Sequence, residues 1–296
     1  MQRSKETLLR LHLHQRPHGP FIVADKYKVP YVGKGATANG KKGKRKDNSA
    51  AFYGMIANVD ENMGVLMLKL DEWGLSDKTL LIFMTDNGSS AGNYNAGMKG
   101  KKGSANEGGS RVPLFMRLPG KIKPATDVAR LTRHYDLFPT LASIAAAAIR
   151  KNLDLDLDGR SLLPLIDNPK ATWPDRYTVF HKGRWNKKDA AGRWGQGNTD
   201  PDQAKYKGFA VRNESWRLVV DALYNIEKDP GETTDVAQQH PEIAATMRKN
   251  FDVWWTDVRP LMVNEYATLD TDKPFLDQYL KQEKSTGIPK WIEPKL

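Results

Sequence analysis

Two side chains with oxygen donors, Asp86 and Asn87, follow a continuous apolar run at residues 79–85. Carboxylate and amide oxygens are the ligand types that a hard cation such as calcium prefers. The apolar run predicts a buried strand, and open α/β sheets bind ligands at the carboxyl ends of their strands. Taken alone, Asp86-Asn87-Gly88 is better explained as a simple turn. The downstream residues therefore have to decide between a turn and a cation site.

The downstream residues form a glycine-rich segment with several lysines, at residues 98–113. Glycines let the backbone approach an anion closely, and lysine ammonium groups supply the positive charge. The segment is not a nucleotide-binding phosphate loop, because no Gly-Lys-Ser/Thr sequence opens a helix. It predicts an anion site next to the oxygen donors.

The elements that must position these residues alternate between helix and strand. Apolar residues recur with helical spacing from residue 52 to 70, after a cap at Asn48 or Ser49 and before a stop at Gly74. The apolar run then predicts a strand buried on both faces, as in a parallel sheet. This rhythm is typical of a doubly wound α/β domain.

Residues beyond this unit predict a change of architecture near residue 174. A second strand at 113–116 and a helix at 134–150 precede the change, and four short antiparallel strands and a helix at 241–258 follow it. The predicted strands are 176–182, 208–213, 216–220 and 223–226. The predicted organisation is an α/β domain over 1–173 with a basic flexible loop at 33–48, an antiparallel α+β subdomain over 174–268 and an extended tail over 269–296.

Composition excludes several classes of protein. The 296 residues carry 46 Lys and Arg against 35 Asp and Glu, a net charge of +11 that predicts an acidic partner or substrate. No aromatic residue lies between Lys34 and Lys46 in the basic loop, which disfavours nucleic-acid binding. No run approaches the roughly 18 apolar residues of a membrane span. The absence of cysteine excludes disulfides and thiolate metal sites in this chain. The compartment stays open.

Several motifs occur in a fixed order along most of residues 17–260. They are Pro17-His18-Gly19-Pro20-Phe21 followed by Asp25-Lys26-Tyr27, the stretch from Tyr53 to Gly64, Phe83-Met84-Thr85-Asp86-Asn87-Gly88, Lys102-Gly103 with Glu107-Gly108-Gly109-Ser110-Arg111-Val112-Pro113, Asp136-Leu137-Phe138-Pro139-Thr140-Leu141, and Leu223-Tyr224-Asn225-Ile226-Glu227-Lys228-Asp229-Pro230-Gly231-Glu232. This ordered set resembles the type I sulfatases, in the alkaline-phosphatase-like superfamily. The resemblance implies sulfuric ester hydrolysis with calcium and a formylglycine nucleophile.

The resemblance implies a fold and a set of roles. The fold would be part of an α/β/α sandwich plus a smaller C-terminal antiparallel sheet with a packed helix. Asp86 and Asn87 would be two of the calcium ligands. Lys102 would bind the sulfate and its bridging oxygen, and His18 would hydrogen-bond the sulfate ester or protonate the leaving alcohol. The remaining polar residues of the lysine segment have supporting roles, with Glu107 and Arg111 holding the loop and Lys99 and Lys101 solubilising it.

The departures from the family pattern set further expectations. No Cys is present, and no Ser lies in the family's Cys/Ser-x-Pro/Ala-x-Arg motif, so the formylglycine is absent. Asp86 and Asn87 supply a minority of the roughly six to eight oxygens that calcium takes. The chain therefore looks like the C-terminal part of a sulfatase, with an incomplete calcium site and no activity as it stands. A sheet without its first strands would leave an edge uncovered, so we expect the isolated chain not to fold alone.

Two other functions stay open. The chain fits a phosphoester or phosphonate hydrolase of the same superfamily, although the segment from Lys102 to Pro113 favours sulfate. It also fits a non-catalytic binder of acidic or sulfated polysaccharide, which would use the basic loop and the two tryptophans at Trp185 and Trp194. A sulfate ester is the substrate class that the resemblance implies, and a sulfated polysaccharide is one substrate of that class.

Overall fold

The computed structural model describes residues 21–34, 46–90, 94–145, 157–183, 201–262 and 274–287. It divides into two compact units, Met1–Trp255 and Thr256–Leu296. Within the described ranges, no helix combines the length and the apolar character needed to cross a membrane. The helices are α1 (Asp25–Lys28), α2 (Lys46–Glu72), α3 (Glu107–Ser110), α4 (Leu137–Ile144), α5 (Leu163–Asp167), α6 (Pro241–Val258) and α7 (Pro274–Ser285). The strands are β1 (Leu81–Met84), β2 (Leu114–Arg117), β3 (Thr178–His181), β4 (Phe209–Arg212), β5 (Trp216–Val219) and β6 (Ala222–Asn225).

The long helix α2 confirms the helical periodicity. It begins at Lys46, a little before the predicted cap. It ends at Glu72, and Gly74, the predicted stop two residues later, takes a φ of +61°. The N–H of Leu75 then donates to the carbonyl of Leu70 at 2.9 Å, and the N–H of Gly74 to that of Asp71 at 3.0 Å. These two bonds close the helix in the manner that a left-handed glycine allows.

The two strands next to the predicted site pair with each other. β1 and β2 are antiparallel, with Ile82 opposite Met116 and Phe83 opposite Phe115. The prediction of a strand buried on both faces in a parallel sheet is wrong for the described residues, because β1 is only half buried along its length. Its described neighbour in the sheet is β2 alone, and Phe115 on that neighbour stays 65% exposed.

The antiparallel C-terminal sheet confirms the four predicted short strands. They pair in the order β3-β4-β5-β6. The turn between β4 and β5 is closed by Asn213, whose side-chain oxygen accepts the N–H of Trp216 at 2.7 Å. α6 covers the sheet, and its Phe251 ring stacks on Phe209 with 4.0 Å between the ring centroids. Every residue of β4 is buried, so this sheet and helix form an apolar core.

A buried carboxylate, Asp136, links the α/β region to residues after position 174. It immediately precedes α4, and the predicted helix at 134–150 is confirmed as far as the described residues extend. Asp136 accepts the N–H of Arg133 at 2.6 Å, the N–H of Arg160 at 2.9 Å and the guanidinium of Arg176 at 2.8 Å. These contacts explain why the boundary predicted at residue 173 lies inside one compact unit.

In the unit Thr256–Leu296, part of the predicted extended tail is helical. α7 spans Pro274–Ser285. Proline is favoured in the first turn of a helix, and the residues from Leu280 to Lys284 are good helix formers. The low apolar content that suggested an extended chain reflects the exposure of this helix, not an absence of secondary structure.

Candidate active site

Asp86 and Asn87 lie immediately beyond the carboxyl end of β1, as the sequence predicted. Asp86 is exposed, and its Oδ1 accepts the backbone N–H of Asn87 at 2.9 Å. Asn87 is half buried, and its carbonyl accepts the hydroxyl of Thr85 at 3.4 Å. These local bonds shape a turn that leaves the Asp86 carboxylate at the surface.

Lys102 lies in a tight turn of the lysine loop, the name used here for residues 98–111. The N–H of Ser104 donates to the carbonyl of Lys101 at 2.9 Å and closes the turn. Gly103 takes a φ of +84°, which the third residue of such a turn needs and which side chains disfavour. Lys102 is exposed, so the turn presents its ammonium group to solvent.

Two backbone hydrogen bonds bring this turn to the end of β1. The N–H of Lys102 donates to the carbonyl of Ser89 at 3.1 Å, and the N–H of Gly88 donates to the carbonyl of Gly109 at 3.1 Å. A Cβ at Gly88 would lie 1.9 Å from the carbonyl oxygen of Gly108. Only glycine permits this close approach, which places the backbone of the Lys102 turn beside the segment that carries Asp86 and Asn87.

Buried ion pairs hold the lysine loop against the C-terminal sheet. The Oε1 atom of Glu107 accepts hydrogen bonds from Nε of Arg212 at 3.1 Å and from NH1 of Arg217. Arg217 is 1% exposed and also donates to the carbonyl of Ala105 at 3.1 Å and to the hydroxyl of Ser110 at 2.8 Å. Two strands of the sheet therefore fix the second half of the loop.

Glu232 and Lys99 form a second set of contacts between sheet and loop. The carboxylate of Glu232 accepts the N–H of Glu107 at 2.9 Å and the side-chain amide of Asn106 at 3.2 Å. The ammonium group of Lys99 donates to the hydroxyl of Tyr224 at 3.0 Å and to the carbonyl of Glu232 at 3.2 Å. Both sides of the Lys102 turn are thus tied to Glu232, which follows the last strand of the C-terminal sheet.

The electrostatics of the network follow from burial and pairing. Burial raises the pKa of Glu232, and the N–H of Glu107 and the charge of Arg217 offset part of that rise. Burial lowers the pKa of Arg217, although the two carboxylates beside it favour its charged form. The hydrogen bond to Tyr224 raises the pKa of Lys99 and keeps that lysine charged.

Comparisons with known proteins bear on the whole chain. A family model described as "Sulfatase" matches residues 1–147, and one described as "N-sulphoglucosamine sulphohydrolase, C-terminal" matches residues 101–254. The chain belongs to the sulfatase family. The second match begins within the lysine loop and runs through the C-terminal sheet, so it spans both sides of the buried network.

Individual relatives and a solved structure also resemble this chain. This sulfatase chain is 30% identical to Arylsulfatase K of Rattus norvegicus over 210 residues, 68% of this chain and 34% of the relative. It is 31% identical to Steryl-sulfatase of Homo sapiens over 166 residues, 50% of this chain and 28% of the relative. The structure of Ps i-CgsB in complex with k-i-k-neocarrahexaose matches with a TM-score of 0.60 and 27% identity, over 81% of this chain and 48% of that chain. The chain thus spans about a third of these curated relatives and about half of that solved structure.

The structure brings together three of the four residues expected in the sulfatase site. Asp86, Asn87 and Lys102 lie on segments joined by backbone hydrogen bonds. His18 lies outside the described residues, as do Trp185, Trp194 and residues 35–45 of the basic loop.

Three other loop residues had predicted supporting roles. Glu107 pairs with Arg111 inside the loop at 3.6 Å, and its shorter contacts are to sheet arginines. Lys101 is exposed, as expected of a solubilising lysine. Lys99 is exposed as well, but its ammonium group also contacts Tyr224 and Glu232, a tether that the interpretation as a solubilising lysine did not include.

Asp86 and Asn87 have the type of ligand atom that calcium binds, but two side chains are too few to complete its coordination. Asp86 and Asn87 offer oxygen atoms, the ligand type that calcium takes. Among the residues that the structure describes, no group of three or more His, Cys, Asp or Glu side chains is arranged to hold a metal ion. That Asp86 and Asn87 are two of the ligands of a calcium ion stays a prediction.

Sequence reasoning missed Glu232, Arg217 and the tethering role of Lys99. Glu232 is the last residue of the family-like segment 223–232, to which the sequence assigned no role. An acidic residue directly after Asp229-Pro230-Gly231 was the available signal, since a turn of this kind fixes the next side chain in space. No comparable signal marked Arg217, which lies in an otherwise apolar strand.

Proposed function

We propose that this chain carries the leaving-group side of a sulfuric ester hydrolase of the arylsulfatase type. The observation that supports this most is the pair of backbone hydrogen bonds that sets the Lys102 turn against the Asp86–Asn87 segment. A cation beside oxygen donors suits a sulfate ester bound to calcium, because the ester is anionic and gains negative charge as its bond to the alcohol breaks.

Each residue has a role in the proposal. The ammonium group of Lys102 binds the sulfate and neutralises charge on the bridging oxygen as the alcohol leaves. His18 hydrogen-bonds the ester or protonates the leaving alcohol. Asp86 and Asn87 hold calcium, which when bound supplies positive charge to the sulfate oxygens. The 296 residues contain no precursor of a formylglycine, so we expect the chain alone not to hydrolyse sulfate esters.

Calorimetric titration of the 296-residue chain with p-nitrocatechol sulfate in calcium buffer tests the proposal. Lys102→Ala should weaken binding by about 10- to 100-fold, the value of one charge-assisted hydrogen bond. Lys101→Ala is the matched control, because it removes the same charge from the neighbouring exposed position. Equal affinities in the two variants would contradict a specific role for Lys102. Hydrolysis by the wild-type chain that Lys102→Ala abolishes would contradict the expected inactivity.

A non-catalytic binder of acidic or sulfated polysaccharide is the second candidate. The net charge of +11 favours it, and so does the lack of a nucleophile motif. Binding of this kind would follow total charge and fall steeply with salt. It would be equally sensitive to Lys101→Ala and Lys102→Ala, and indifferent to calcium. A phosphoester hydrolase of the same superfamily predicts instead that a phosphate monoester competes with the sulfate ester at equal concentration.

A further inference from the structure

Glu232 contacts the lysine loop on both sides of Lys102, although more than a hundred residues of sequence separate them. Its carboxylate accepts the N–H of Glu107 and the side-chain amide of Asn106, at 2.9 and 3.2 Å. Its backbone carbonyl accepts the ammonium group of Lys99 at 3.2 Å. The Lys102 turn lies between these anchor points, so Glu232 spans the base of the turn.

The backbone at this position is held in an unusual conformation. Glu232 has a φ of +54°, a left-handed value that is uncommon for a residue with a side chain. Its side chain is completely buried. Such a conformation persists when the surrounding contacts over-determine it, and it concentrates near functional sites. The left-handed φ and the complete burial both indicate that the surrounding contacts fix the position of this carboxylate.

The preceding residue brings the same backbone against the start of the loop. A Cβ at Gly231 would lie 3.3 Å from the carbonyl oxygen of Gly97. Asp229 holds the turn before it, since its Oδ2 accepts the N–H groups of Thr233 and Thr234 at 2.7 and 2.8 Å. The backbone turn that carries Glu232 is therefore itself fixed by hydrogen bonds.

We propose that Glu232 is the positioning residue for Lys102, which it sets in place for the sulfate ester by fixing both ends of the lysine loop. The inference rests on the proposed function of Lys102. A lysine ammonium on a flexible stem gains little as a binding group unless the backbone that carries it is already ordered. Glu232 provides that order before the ester arrives, and it does so without touching the ester.

Amide hydrogen exchange on the full chain tests the tether without any ligand. In Glu232→Gln, the amides of residues 99–109 should exchange about tenfold faster, the effect of losing one charge-assisted hydrogen bond. The buried positions of α6, Met247 and Phe251, should exchange as in the wild type. Lys99→Met opens only the first anchor and leaves the buried network intact, so it replaces Glu232→Gln if that variant does not fold. Glu242→Gln, an exposed glutamate on α6, is the control. Unchanged exchange over 99–109 in the anchor variants would overturn the proposal.

A double-mutant cycle on the affinity for p-nitrocatechol sulfate separates positioning from general stability. Glu232→Gln should weaken binding about tenfold in the wild-type background. In the Lys102→Ala background it should weaken binding no further, because the group that it positions is gone. The same loss in both backgrounds would overturn the positioning role. No binding by the wild-type chain would overturn the proposed function alone, and the exchange result would then decide on Glu232.

Discussion

Replacing Arg217 by methionine tests whether buried charges hold the lysine loop to the sheet. The guanidinium contacts Glu107, the carbonyl of Ala105 and the hydroxyl of Ser110, and its Nε lies 3.5 Å from Oε1 of Glu232. Methionine keeps much of the apolar stem and removes all of these contacts. The two carboxylates, 3% and 0% exposed for Glu107 and Glu232, would stay buried with less compensation.

The expected loss of unfolding free energy in Arg217→Met depends on the contacts that Glu107 and Glu232 keep. Breaking a buried ion pair by removing one partner costs about 3–5 kcal/mol, because the other charge stays in a low-dielectric environment. Arg212 still pairs with Glu107 at 3.1 Å, which favours the lower end, about 3 kcal/mol. For a domain of this size that corresponds to a fall in Tm of about 6–12 °C. Adding Glu232→Gln to Arg217→Met should recover part of the loss, because it removes one uncompensated charge.

The assay is thermal and urea unfolding of the 296-residue chain, followed by near-ultraviolet circular dichroism. A cooperative transition of the wild-type chain would first contradict the expectation that the isolated chain does not fold alone. Arg248→Met is the matched control. It removes an arginine whose side chain is 35% exposed and whose partner Asp221 is 83% exposed. The ion pair itself contributes less than about 1 kcal/mol, and the hydrogen bond from Arg248 to the carbonyl of Val220 at 2.9 Å adds about 1 kcal/mol. A loss for Arg217→Met no larger than that for Arg248→Met would refute the conclusion that the network anchors the loop.

Other variants test the close backbone approach at Gly88, the open helix position at Gly64 and a third buried carboxylate, Asp136. Gly88→Ala should destabilise the chain by about 1–3 kcal/mol and weaken sulfate-ester binding in calorimetry, because its Cβ meets the Gly108 carbonyl. Gly64→Ala on α2, where a Cβ meets nothing within 4 Å, should stabilise by about 0.5–1 kcal/mol in the same urea unfolding, and destabilisation there would contradict the open site. Burial raises the pKa of Asp136, but hydrogen bonds from Arg176 and two backbone N–H groups outweigh it, so the pKa lies below its ordinary 3.8. The stability that Asp136 adds is therefore present above pH 3.8 and lost as the pH falls below it through the lowered pKa, and Asp136→Asn should lack this acid-limb slope in urea titrations.

Local periodicity predicted the local elements well. The helix α6 and the four strands of the C-terminal sheet lie where the sequence placed them, because turn residues separate short apolar runs and a proline opens the helix. The apolar run before Asp86 likewise forms a strand. The sequence could not predict which strand pairs with this one, because an apolar run indicates a strand but does not identify its partner in the sheet. β1 pairs antiparallel with β2 and is half exposed.

The sequence predicted the exposed residues of the candidate site, but it did not predict the buried residues that hold the lysine loop in place. Asp86, Asn87 and Lys102 stand in motifs that the sequence displays directly. Glu232 and Arg217 act through partners that lie more than a hundred residues away, and no spacing rule connects them to the lysine loop. A long charged side chain such as Lys99 is read from sequence as a solvent-facing group, although its reach allows it to cross to a neighbouring element.

The charges of the network show why the lysine loop and the C-terminal sheet must fold together. The sheet region contributes Arg212, Arg217 and Glu232 to the buried network. Two positive charges and one negative charge give this region a net charge of +1. The loop contributes Glu107, whose single negative charge neutralises it. Neither part can bury its own charges without the other, because an uncompensated ion in a protein interior is strongly unfavourable. Docking of the loop onto the sheet therefore completes the charge balance, and the same docking sets the turn that presents Lys102. The C-terminal sheet is in this sense part of the proposed site, although no side chain of the sheet is proposed to touch the sulfate ester.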